Sequence, residues 1–113
     1  MSKHKLLIRE TDRKVFEALK DGSKRIETRA ATKKYQKIKP GDLLVFICGE
    51  DKLEKKVGEV KFFDSIEKMT GEVGFKQIMP FVGNVEEMRK VYFSFPGYEK
   101  KIKEFGLIVF FLS

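Results

Sequence analysis

The chain has one cysteine, one histidine and no tryptophan among its 113 residues. Cys48 has no partner for an internal disulfide, and Cys48 with His4 falls short of a four-ligand zinc site. The same scarcity removes the Ser/His and Cys/His pairs of nucleophilic catalysis, unless His4 near the N-terminus supplied the base. Long apolar runs are also absent. Leu6, Leu7 and Ile8 form a stretch too short for a secretory core. Nothing approaches the roughly 18 consecutive apolar residues of a membrane-spanning helix. These absences predict a cytoplasmic protein that uses no metal and no cofactor and does not insert into a membrane.

Acid is missing from one segment in particular. Between Ser23 and Lys39 stand Lys24, Arg25, Arg29, Lys33, Lys34, Lys37 and Lys39 against the single acid Glu27. The excess is local to the first half: residues 1–56 hold 16 Lys/Arg and 9 Asp/Glu, whereas residues 57–113 hold 8 of each. All of the net charge of +7 therefore lies in the first half, where it produces a field that attracts polyanions. A solvated lysine-rich surface, as in heat-adapted proteins, has the same composition. Apolar residues make up 42% of the chain, with eleven Phe and three Tyr, enough for a core of one domain spanning residues 1–113. There are no internal repeats, low-complexity tracts or linkers.

The apolar spacing predicts an α+β order. Lys5 to Arg9 reads as a first strand. Thr11-Asp12 offers an N-cap for a helix carrying Val15, Phe16 and Leu19 and stopped at Asp21-Gly22. Arg25 to Arg29 alternates as a second strand, with Arg25, Glu27 and Arg29 on one face and Ile26 and Thr28 on the other. Ala30 to Lys39 has no clean period and ends in the turn Pro40-Gly41-Asp42. Leu43 to Cys48 reads as a central strand, Gly49 to Leu53 as a charged hairpin tip, and Lys55 to Phe63 as the returning strand. Asp64-Ser65 and Asn84 are N-caps for later helices, with a break before Met79-Pro80, and Tyr98 to Phe105 is a short helix closed by Gly106. Leu107 to Leu112 is continuously apolar and requires burial on both faces. Five strands with helices clustered in two places favour a curved or closed sheet over a βαβ fold.

Two stretches in this order carry a resemblance. Gly22-Ser23-Lys24-Arg25-Ile26-Glu27-Thr28-Arg29 follows the first helix, and Ile38-Lys39-Pro40-Gly41-Asp42 leads into the apolar strand. The chain resembles the ASCH domain family, whose members carry a Gly-x-Lys-x-x-Glu-x-Arg stretch and then an Ile-Lys-x-Gly-Asp stretch. The likeness continues through Phe62 to Met69 and Tyr98 to Leu112. It implies a small PUA-like mixed β-barrel of about five strands with peripheral helices, and a cleft beside the barrel that binds RNA or modified bases. Some members act as amidohydrolases on acylated nucleosides or as ribonucleases.

Lys24, Glu27 and Arg29 suit a nucleotide: a point cation, a hydrogen-bond acceptor, and a planar cation that grips anions or stacks. The alternative is a pair on one strand face, Glu27 and Arg29, that merely neutralise each other. Arg25, Lys33, Lys34 and Lys37 are the expected phosphate contacts, and Tyr35 is the expected stacking ring, with packing over the barrel end as its other reading. Phe93, Phe95 and Tyr98 are candidates for a second cleft wall, although phenylalanine at such density also builds cores. The resemblance assigns catalysis in the amidohydrolase members to a Lys, a Thr and a Glu. The Lys corresponds to Lys24, but Glu27 stands at the Thr position, and residues 78–83 contain no acid. The sequence therefore favours an RNA- or nucleotide-binding module over a small hydrolase using Lys24 and Glu27. A protein-interaction module for an acidic partner is the third reading. The folded state is expected to tolerate neutralisation of these residues.

Overall fold

A computed structural model describes all of residues 1–113. In chain order it has β1 (Lys3–Leu7), a 3-10 turn (Glu10–Asp12), α1 (Arg13–Asp21), β2 (Ile26–Ala30), α2 (Lys33–Gln36), β3 (Leu43–Cys48) and β4 (Asp51–Phe63). Then follow α3 (Ile66–Glu72), α4 (Phe75–Ile78), α5 (Val85–Ser94), α6 (Tyr98–Phe105) and β5 (Leu107–Leu112). The five strands form one mixed sheet in the order β1-β3-β4-β5-β2. β1 and β3 run parallel, and the other neighbours are antiparallel.

β5 explains the architecture. Its alternate residues enter two separate cores: Leu107 and Val109 join one cluster, Ile108 and Phe110 the other. The first cluster packs β2 and β5 against the later helices through Ile66, Met69, Ile78, Met88, Tyr92 and Ile102. The second gathers Leu6, Leu44, Phe46 and Val57 from the other strands around Phe16 and Leu19 of α1. A strand with both faces covered has no room for polar alternation, hence its six apolar residues in succession.

Local signals set several of the helix ends. Gly22, at φ 85°, terminates α1 in the left-handed region, which favours glycine. Ser65 accepts a hydrogen bond from the Lys68 amide, and Asn84 accepts one from the Glu87 amide at 2.9 Å. Glu87 reaches back to the Gly83 amide at 2.6 Å, so the start of α5 is tied from both directions.

Four expectations shift. Asp12 stands at the N-cap of α1, but its side chain makes no capping bond; its Oδ2 accepts from Arg9 Nε at 2.8 Å instead. β1 begins and ends two residues earlier than the expected Lys5 to Arg9, because Lys3 and His4 pair with Leu43 and Leu44 and the ladder stops at Leu7. His4 Nε2 lies 2.9 Å from Asp42 Oδ2, and that carboxylate also accepts from the amides of Ser2 and Lys39. Those bonds, with the His4 contact the strongest, hold the Asp42 carboxyl down at about 2. The β3–β4 hairpin is tighter than its charges suggest: Cys48 pairs with Asp51, leaving Gly49 and Glu50 as the turn. Finally, the basic segment contains one helical turn, α2.

The sheet does not close into a barrel. β1 and β2 are its two edges and share no ladder. Arg29 on β2 instead sends Nη2 toward the Leu7 carbonyl at the end of β1, at 3.4 Å. A side chain thus spans the seam that a backbone ladder would fill in a closed barrel.

Candidate binding cavity

The seam holds a cavity of about 180 Å³. β1 and its continuation contribute Leu7, Ile8 and Arg9, and α1 and its approach contribute Asp12 and Val15. The segment from Lys24 through β2 supplies Lys24, Glu27, Thr28 and Arg29. The opposite wall is apolar and aromatic, with Phe81, Tyr92, Phe95 and Tyr98.

Charged side chains reach such an interior because of strand alternation. Ile26 and Ala30 point into the helix-covered core, as does Thr28, whose hydroxyl bonds the Tyr92 hydroxyl. The intervening Glu27 and Arg29 must then face the other way, toward the seam. Lys24 joins them from just before the strand.

The three groups form a chain of alternating charge. Glu27 Oε2 accepts from Arg29 Nη2 at 2.9 Å and from Arg29 Nε at 3.1 Å. Glu27 Oε1 accepts from the Thr28 amide at 3.2 Å and lies 3.6 Å from Lys24 Nζ. Lys24 donates to the Ile78 carbonyl. Lys24 and Glu27 are 3% and 5% exposed, so both ionic groups are withdrawn from water.

Burial pushes the Lys24 amine below its ordinary value, while nearby Glu27 opposes that shift. For Arg29 burial is again the largest influence, but Glu27, Tyr35 and Tyr98 together outweigh it and hold the guanidinium charged. Burial raises the Tyr92 and Tyr98 hydroxyls, which keeps both protonated and able to donate.

Lys24, Glu27 and Arg29 come together as the sequence predicts. Phe95 and Tyr98 line the cavity, but Phe93 does not. Arg25 precedes β2 and points to solvent, and Lys33, Lys34 and Lys37 are exposed outside the cavity on and after α2. Tyr35 is half-buried and lies outside as well. Its hydroxyl accepts from Arg29 Nη1 at 3.3 Å, and its ring lies beneath the Arg29 and Lys34 cations. Tyr35 therefore braces Arg29.

Other lining residues have no motif to announce them. Arg9 stacks over Phe95 at 5.3 Å and Lys14 over Phe81 at 4.7 Å, so cations from the first half cover rings from the second. Asp12 brings a carboxylate to the cavity from a position that the amidohydrolase pattern does not use.

The ASCH domain profile matches residues 10–110, and the chain belongs to the ASCH domain family, which has a PUA-like, RNA-binding fold. The chain is similar to the hypothetical protein PH0355, known from a crystal structure, at 30% identity and a TM-score of 0.85 over 100% of this chain and 98% of that one. It is also similar to Pyrococcus furiosus protein PF0455, solved by NMR, at 28% identity and a TM-score of 0.77 over 98% and 96% of the two chains. No curated protein matches. No helix is long and apolar enough to cross a membrane.

Proposed function

We propose that this protein binds RNA or a nucleotide, taking one base or terminal group into the seam cavity. The observation that carries the reading is the amine–carboxylate–guanidinium row of Lys24, Glu27 and Arg29, buried on one side of a cavity whose other side is aromatic. Buried ionic groups contribute little net stability compared with apolar residues of similar volume, so their placement here suits recognition. Glu27 Oε1 accepts one full hydrogen bond from protein, and Lys24 has donors beyond its bond to Ile78. One side of the cavity thus offers an acceptor beside a donor, the complement of a base edge. The volume lies below the roughly 300–1,000 Å³ of drug-sized sites, which fits a single ring.

Arg25, Lys33, Lys34 and Lys37 remain the proposed source of long-range attraction to the phosphate backbone. Fluorescence anisotropy with a labelled single-stranded RNA, measured across a salt series, tests this. Affinity falls steeply with salt, and replacing Lys33, Lys34 and Lys37 by Ala makes the slope shallower by up to about 0.7 per lost contact. Salt-independent binding, or none at low salt, contradicts the reading.

A second reading, a hydrolase acting on a modified nucleoside, draws on the buried Lys24 amine, whose lowered pKa suits acid/base chemistry beside Glu27. Incubation with N-acylated cytidines and with RNA, followed by chromatography, decides it. Turnover abolished by Lys24→Ala supports it, and absence of turnover sinks it.

A further inference from the structure

A second, shallower groove of about 400 Å³ adjoins the seam cavity. The two concavities share Phe95 and Tyr98, so they meet at one pair of aromatic rings. On the far side the groove is lined by Phe93, Gly97, Lys100 and Lys103, with Glu99 as its one acid.

We propose that this groove holds the nucleotide adjacent to the one in the cavity, which makes the ligand a segment of single-stranded RNA and not a free mononucleotide. The inference rests on the cavity taking a base, and it adds a direction: the strand leaves across Phe95 and Tyr98 toward α6.

Four features favour this occupant. Phe93 is 39% exposed, although it is a large apolar side chain on a helix with a core available beneath it. An exposed ring in a groove is a stacking surface for any base. Gly97, at φ 71°, makes the bend between α5 and α6 that opens the groove, and it has no side chain to obstruct it. Lys100 has no acidic partner. Lys103 has only Glu99, at 3.9 Å and well exposed, a pair that solvent screens and a phosphate can displace.

A protein partner would require apolar pockets for anchoring side chains. This groove offers rings and cations instead. Lys33, Lys34 and Lys37 line neither concavity, so the segment that attracts a polyanion is separate from the one that seats two successive nucleotides.

The test uses the isotope-labelled full chain and NMR titration. Each of the four ribonucleoside 5′-monophosphates is compared with the corresponding homopolymeric tetranucleotide. The tetranucleotide preferred by the protein binds at least about tenfold more tightly than its monophosphate, the scale of one added stacking contact. It also shifts the amides of residues 93–103 in addition to those of residues 24–29. Phe93→Ala, and separately the double variant Lys100→Ala/Lys103→Ala, remove most of that gain and leave monophosphate affinity unchanged; all three side chains are solvent-exposed, so the variants fold.

Equal affinity for mono- and tetranucleotide, with residues 24–29 responding, overturns the groove but not the cavity. A gain that survives in both variants does the same. No response at residues 24–29 to any ligand overturns the cavity reading and the groove with it. Oligoglutamate binding to residues 93–103 as tightly as the tetranucleotide assigns the groove to an acidic protein and overturns the proposal.

Discussion

Glu27 sits between two cations, and that position governs what substitutions there will do. Glu27→Gln keeps an acceptor but leaves Lys24 and Arg29 without their shared counter-charge inside the fold. Breaking a buried pair from one side costs roughly 3–5 kcal/mol, and because Gln retains hydrogen bonds a loss of about 3 kcal/mol is expected by urea denaturation. The tolerance expected from sequence is therefore replaced by marginal stability. Lys24→Met behaves differently, since the charge leaves together with its desolvation cost and Glu27 keeps Arg29. The Ile78 carbonyl loses a donor, so the expected cost is about 1–2 kcal/mol, with ligand binding lost. Lys24 also carries a pH signature. Its pKa in the folded state lies below the ordinary 10.5 of the unfolded chain. Between those two values the unfolded chain binds more protons, so stability from this group rises with pH across that window and the cost of charging returns below it. The stability difference between wild type and Lys24→Met, followed by denaturant titration from neutral to alkaline pH, should shift in favour of wild type as pH rises. A difference independent of pH would mean that the Lys24 amine is not desolvated.

Among the elements, β5 depends on the turn before it. Gly106 has φ 76°, and a Cβ there would lie 2.4 Å from the Phe63 carbonyl oxygen on β4. Gly106→Ala thus combines a disfavoured backbone with a backbone clash at the entry to the central strand. A loss of at least about 3 kcal/mol is expected, above the cost of backbone strain alone. Gly71 lies within α3 with nothing within 4 Å of a Cβ, and Gly71→Ala should add about 0.5–1 kcal/mol. Both are read from urea midpoints. Such elements were legible where the local pattern is itself the cause. The unbroken apolar run of β5, the caps at Ser65 and Asn84, and the stop at Gly22 each act within a few residues of the chain. Glu27 and Arg29 were legible for the same reason, sharing one strand face, but alternation put Arg25 beside them, whereas Arg25 is exposed and Lys24, marked only by the family motif, joins from ahead of the strand. Asp12, Arg9, Leu7 and Phe81 were not, because they reach the cavity only once β1 and β2 approach across the seam and the loop after α4 folds over α1. Tyr35 misled for a related reason. A ring in a basic segment has the composition of a stacking site, but its position beside Arg29 gives it a supporting role. The resemblance implied a barrel, yet the sheet stays open and the Arg29 side chain reaches across where the last ladder would form.

For the whole molecule, the first half supplies the positive excess and the polar side of the cavity, and the second half supplies the aromatic wall. On the proposed reading attraction and recognition are separated: exposed Lys33, Lys34 and Lys37 would act at the range of the Debye length, about 8 Å at physiological ionic strength, whereas buried Lys24 and Glu27, with Arg29, would act only on a group that has entered. A basic surface without a site would bind RNA too, so affinity alone does not distinguish the two. Location does. If the seam cavity is where the ligand binds, amide chemical-shift mapping of the labelled protein during titration with single-stranded RNA at physiological salt shows it. Saturable shifts concentrated at Lys24, Glu27, Thr28, Arg29, Phe95 and Tyr98 are expected, and they should disappear in Lys24→Met. Shifts confined to Lys33 through Lys39, unsaturated and erased by salt, would contradict it.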